Sequence, residues 1–134
     1  MTDLVNALEK IEYGNARNNG CGAGRSMFAV DIDGTLYPCH RFVGEGKFAL
    51  GNIWTGADNS KFLTTISVRN REKCSNCWAQ NLCLGCCPHE NYTNTKNINL
   101  ASERSCRMAK TIYEQLILVY IKMSEEDKKM MWPD

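Results

Sequence analysis

The stretch CSNCWAQNLCLGCC, Cys74 to Cys87, sets five cysteines in fourteen residues. So many thiols cannot all face one point from a single regular helix, because only residues three or four apart share a helix face. The segment therefore predicts irregular backbone held by what its thiols bind. Working outward, Cys21, Gly34 and Cys39 stand upstream and Cys106 downstream, which gives Cys21-x12-Gly34-x4-Cys39, then Cys74-x2-Cys77-x5-Cys83-x3-Cys87, then Cys106. Thiolates in tight loops with partners far away in sequence suit iron–sulfur clusters better than a disulfide scaffold or a simple zinc finger.

A length of 134 residues fits one domain with a shallow core beside the cysteine loops. Sixteen basic against fifteen acidic side chains leave a formal charge of +1. That balance gives no electrostatic case for a nucleic-acid or membrane-surface partner. No apolar signal segment precedes the cysteines, and the longest apolar run, 116–121, is far shorter than a membrane helix needs. The expected location is a reducing cytoplasm, where thiols persist and hold metal.

The periodicity predicts a small irregular α+β domain. Leu4, Val5, Leu8 and Ile11 recur at helical spacing before Gly14, a short amphipathic helix over 3–13 with a glycine stop. A linker follows to residue 20. Segments 27–31 and 35–38 flank Asp31-Ile32-Asp33-Gly34 as a β-hairpin, with Gly34 at a position of positive φ. Residues 48–53 are expected to add an edge strand, and 60–67 one or two helical turns with Phe62, Leu63 and Ile66 inward. Residues 91–99 read as polar loop. A long helix over 102–123 carries Met108, Ile112, Leu116 and Tyr120 beside Ala109, Tyr113 and Ile117 as its apolar stripe.

The cysteine pattern, with YPCHRF at 37–42, FALGNI at 48–53 and CSNCWAQNLC at 74–83, resembles the seven-cysteine signature of the SPASM domain over 21–106. That family is the auxiliary-cluster module of radical S-adenosylmethionine (SAM) enzymes that modify ribosomal peptides and proteins. The resemblance implies two [4Fe–4S] clusters. Cys74, Cys77, Cys83 and Cys106 would enclose auxiliary cluster II, and Cys21, Cys39 and Cys87 would hold three corners of auxiliary cluster I. Because Cys83 and Cys87 share a loop but serve different clusters, metal would replace much of a hydrophobic core.

The implied partners are a radical SAM catalytic domain, a ribosomally made substrate peptide or protein, and an electron donor. The chain holds no Cys-x3-Cys-x2-Cys triplet, since Glu90 stands where the third cysteine after Cys83 and Cys87 would be. SAM is thus expected only through a catalytic domain outside this chain, with 1–20 as helix and linker from that domain, 21–123 as the auxiliary domain and 124–134 as a polar tail. In relatives that install thioether links, a substrate cysteine takes an open cluster corner, and three ligands for cluster I fit that chemistry.

Cys86 departs from the family, where glycine is common. It reads as a buried spare cysteine, a fourth ligand to the nearer cluster, or a reactive thiol beside an open corner. His40 follows Cys39 where sulfatase-maturing relatives carry an acidic residue, which makes it a candidate catalytic base. His89 is expected at the surface or behind the ligands. Arg41, Lys47, Arg69 and Arg71 are read mostly as solvated, some donating to cluster sulfides, and Trp54, Trp78 and Tyr37 as packing that shields a cluster. A structural zinc module and a small ferredoxin-like electron carrier are the other readings.

Overall fold

The computed structural model describes residues 2–14 and 20–133. Helix α1, Thr2–Tyr13, ends where Gly14 takes a φ of +61° and its N–H reaches the Lys10 carbonyl at 3.0 Å. Of its apolar positions Ala7 and Leu8 are buried, whereas Leu4 and Val5 face outward. Residues 15–19 of the expected linker lie outside the described residues.

The hairpin forms as expected, with β1 at Ala29–Val30 and β2 at Thr35–Tyr37 paired antiparallel, Ala29 opposite Tyr37. Gly34 has a φ of +84°, and a Cβ there would collide with the Trp54 ring. Strand β3, Gly51–Asn52, pairs with β2 and then with β4, Gly56–Ala57. The sheet order β1-β2-β3-β4 makes β3 an interior strand, not the edge strand the sequence predicts. Phe48 belongs instead to a 3-10 turn, Gly46–Phe48, that carries its ring onto Phe42 at a centroid distance of 4.6 Å.

Helix α2, Ser60–Ile66, buries Phe62 and Ile66. With Ala23, Tyr37, Cys39 and Phe42 they form the first core, against which Leu63 also lies. Two single-turn helices, α3 at Glu72–Ser75 and α4 at Gln80–Cys83, sit inside the cysteine segment. Residues 91–99 are not all loop, because α5 runs Pro88–Thr95. Pro88 opens it at a position where its missing N–H costs nothing. Its polar side chains bond back one turn: Thr93 Oγ1 donates to the His89 carbonyl at 3.0 Å, Asn94 Nδ2 to Glu90 at 2.9 Å and Thr95 Oγ1 to Asn91 at 2.8 Å. Such residues usually draw the chain into turns; here they satisfy themselves on the helix.

Helix α6, Glu103–Lys122, is the predicted long helix, capped by the Ser102 hydroxyl. Leu116 is buried with Ala7 and Leu8 of α1 in a second core edged by Ile11, Tyr113, Tyr120 and Trp132, while Met108 and Ile112 of the predicted stripe are exposed. The tail read over 124–134 also folds in part. Helix α7, Glu125–Met131, starts at a capping box in which Ser124 and Asp127 each bond the other's backbone. Among the described residues no helix is long and apolar enough to cross a membrane. The architecture is α+β: a four-stranded antiparallel sheet and a set of helices, the cysteine segment lying between two small cores.

Candidate iron–sulfur site

Cys74 on α3, Cys77 in the turn after it, Cys83 ending α4, Cys86, and Cys106 in the first turns of α6 line one cavity of about 70 Å³. One water needs roughly 10–15 Å³ by the same measure, so this space is larger than a single ion requires. Its walls are tied together locally. The Cys77 N–H bonds the Cys74 carbonyl at 2.9 Å, and Lys73 forms an ion pair with Glu103 that joins α3 to the start of α6. Among the described residues no three Cys, His, Asp or Glu side chains converge closely enough for one metal ion.

The loop after α4 is unusual in its backbone. Leu84, Gly85 and Cys86 have φ values of +55°, +81° and +62°, three left-handed residues in succession, two of them not glycine. Each non-glycine residue there costs about 1–2 kcal/mol. The reversal turns Cys86 back towards Cys83, with 3.7 Å between their sulfurs. Cys87 continues away to cap α5. The hydrogen bond between the two sulfurs draws Cys83 down to about 6 and pushes Cys86 up. Backbone N–H groups of Gly85 and Cys86 also favour the Cys83 thiolate. Burial raises Cys74 and Cys106.

Arg71 stands beside Cys74, Cys86 and Cys83 and is only 2% exposed. Its Nη2 donates to the Ile66 carbonyl at 2.8 Å and its Nη1 to the Gly85 carbonyl. Nε has no partner, and no carboxylate pairs with this guanidinium among the described residues. Burial lowers its pKa from a very high value, and the neighbouring thiols oppose that shift. A buried cation without an acidic partner is costly unless something anionic offsets it. Four thiolates around an iron–sulfur core carry that charge, so the residues present fit such a group. Sequence reading grouped Arg71 with Arg41, Lys47 and Arg69 as mostly solvated, some donating to cluster sulfides; a cation between Arg69 and Lys73 gives no sign of which one is buried.

The other three cysteines sit on segments that adjoin. The Gly24 N–H bonds the Pro38 carbonyl at 2.8 Å, drawing the Cys21 loop to the residue before Cys39. A Cβ on Gly20 would touch Leu84 at 3.3 Å. Arg41, two residues after Cys39, points Nη1 at the Cys87 sulfur at 3.5 Å and pairs with Glu90 at 3.5 Å. Cys21 is exposed, Cys39 buried and Cys87 half-buried.

His40 is exposed at the start of the 3-10 turn His40–Phe42. His89 is half-buried and stacks edge-on against Phe42 at 5.1 Å; burial and then Arg41 lower its pKa. Trp54 and Trp78 do not enclose a cluster as expected, being 77% and 51% exposed, whereas Tyr37 is buried in the first core. Trp54 covers Gly34 instead.

An α+β framework that gathers thiols from separate elements around one cavity, beside a buried unpaired cation, defines a cysteine-rich metal-cofactor domain. Residues 21–78 match the family model of SPASM, iron-sulfur cluster-binding domain. Over that segment the chain thus matches a family that binds iron–sulfur clusters; Cys83, Cys86, Cys87 and Cys106 lie beyond the matched segment. An uncharacterized protein of Archaeoglobus fulgidus is 40% identical over 81 residues, covering 56% of this chain and 19% of that protein. The chain therefore spans about a fifth of the length of that relative.

Proposed function

We propose that residues 21–123 are the auxiliary domain of a radical SAM enzyme that modifies a ribosomally made peptide in the cytoplasm, and that they hold two [4Fe–4S] clusters. The carrying observation is the cavity shared by Cys74, Cys77, Cys83 and Cys106 beside buried Arg71. Those four thiols supply one ligand per iron corner. Cys21, Cys39 and Cys87 supply three corners of the second cluster, with Arg41 offsetting charge at Cys87.

When bound, such clusters relay single electrons, and a corner without a protein ligand accepts a substrate thiolate, the chemistry that thioether formation uses. The chain's own residues hold, orient and neutralise. Arg71 fixes the Gly85 turn from within, and the Lys73–Glu103 pair closes the wall between α3 and α6. His40, solvent-exposed beside Cys39, is the candidate base for a proton leaving the substrate. Helix α1 leaves Leu4 and Val5 exposed, an apolar edge for the catalytic domain to which 1–20 would connect and through which SAM would enter.

Anaerobic reconstitution of two variants tests the ligand division. Cys106→Ala and Cys39→Ala are each expected to lose about half the iron, roughly four atoms per chain, with different spectra for the clusters that remain. Loss of all iron in both, or of none in either, sinks the two-cluster assignment.

A structural zinc module is the second reading, and one observation favours it. Two thiolates on one tetrahedral zinc, at about 2.3 Å each, stand about 3.8 Å apart, and Cys83 and Cys86 are separated by 3.7 Å. Among the described residues no group of three ligands completes such a site.

A further inference from the structure

The geometry points to Cys86 as an alternate ligand that exchanges with Cys83 at one iron corner of the cluster held by Cys74, Cys77, Cys83 and Cys106; this rests on the cluster reading above. Five thiols line the cavity, and a [4Fe–4S] cluster has four corners. The fifth is not set apart from the rest. The Cys86 sulfur lies 3.7 Å from that of Cys83, the separation of two thiolates on one metal, about 3.8 Å for bonds near 2.3 Å. Both sulfurs therefore address the same iron position and not neighbouring corners. A cluster iron already bonded to three sulfides has room for one thiolate, so the two serve in turn.

One buried cation adjoins both sulfurs. Arg71 adjoins Cys86 and Cys83 as well as Cys74, with Nε unpartnered. The left-handed turn at Leu84, Gly85 and Cys86 holds the fifth thiol against the cavity while Cys87 leaves for α5. Exchange conserves charge and electrons. The Cys86–Fe bond forms as the Cys83–Fe bond breaks, and the Cys86 proton passes to the departing Cys83 sulfur along their existing contact. Nothing is oxidised or reduced.

The test compares iron and labile sulfide per chain after anaerobic reconstitution in the native chain, Cys74→Ala, Cys83→Ala, Cys86→Ala and the double variant at 83 and 86. The single changes at 83 and 86 are expected to keep native iron, with the Cys83→Ala spectrum shifted by its new ligand, and the double variant to lose about half, as Cys74→Ala does. Cys83→Ala losing as much iron as Cys74→Ala overturns the exchange alone. Cys74→Ala keeping native iron overturns the cluster reading, and the exchange with it. Because Cys83→Ala could fail to fold, the loaded native chain is also alkylated and mapped by mass spectrometry. Label on either Cys83 or Cys86, one per chain, supports exchange; label confined to Cys86 overturns it.

Discussion

Arg71 lies within the left-handed turn because Gly85 lacks a side chain: its Nη1 donates to the Gly85 carbonyl, and a Cβ on that glycine would collide with the guanidinium. The φ of +81° at Gly85 adds a second penalty for any other residue. Gly85→Ala is thus expected to destabilise the cluster-loaded chain by about 2 kcal/mol or more, read as the denaturation midpoint. A change within about 0.5 kcal/mol would mean that the turn relaxes freely and that the guanidinium is not held by it.

Replacing the guanidinium by a shorter neutral amide tests its electrostatic role. Arg71→Gln leaves the thiolates without a buried positive charge, which disfavours adding an electron to an already anionic cluster. The midpoint potential of one cluster is expected to fall by about 60 mV or more, a tenfold shift for a one-electron couple, with the other unchanged. Equal potentials in the two proteins, measured by redox titration, would place Arg71 outside the field of the cluster.

Cys86→Gly tests the backbone strain separately from ligation. Glycine accepts a φ of +62° without the Cβ conflict, so the metal-free chain is expected to gain about 1 kcal/mol. Iron content stays native because Cys83 remains. A destabilised metal-free chain would show that the Cys86 side chain does more for the fold than its backbone conformation costs.

Buried Asn91 braces the same turn from the other side, its Nδ2 donating to the Gly85 carbonyl at 3.0 Å and to Ile98 at 3.2 Å. Asn91→Ala strips the donor from the Ile98 carbonyl and opens a gap in a site with no solvent access. A loss of about 2 kcal/mol is expected in chemical denaturation, against no loss if water enters and replaces the amide.

Helix α7 offers a pH prediction. Hydrogen bonds from the Ser124 hydroxyl and N–H lower the Asp127 pKa below its ordinary value. The folded form therefore binds the proton less tightly than the unfolded one. Its contribution is present above the ordinary carboxylate range and is lost as pH falls through the lowered value. Amide protection over 125–131 is expected to hold from pH 7 to pH 5 and to fall near pH 3. Protection unchanged at pH 3 would remove the capping box from the account.

Much of this was legible in the sequence, for physical reasons that differ by element. The hairpin and its Gly34 turn follow from local chemistry, and α6 was bounded to within a residue because Ser102 caps an apolar repeat. Helix α5 was not, since its Asn and Thr residues favour turns unless their side chains bond back along the helix. Helix α7 announces itself only through Ser124 and Asp127, three residues apart, with no apolar stripe behind them. At the site the spacing of the thiols was readable. The burial of Arg71 and the return of Cys86 towards Cys83 were not, because both depend on three consecutive left-handed residues that no propensity foretells.

The central claim is that these thiols hold two [4Fe–4S] clusters, and anaerobic reconstitution followed by iron, labile-sulfide and Mössbauer measurement on the native chain tests it most directly. The account predicts about eight iron and eight sulfide per chain with [4Fe–4S] parameters, and a distinct iron site if one corner lacks a cysteine. One or two zinc with negligible iron and sulfide would contradict it and leave a structural zinc module in its place.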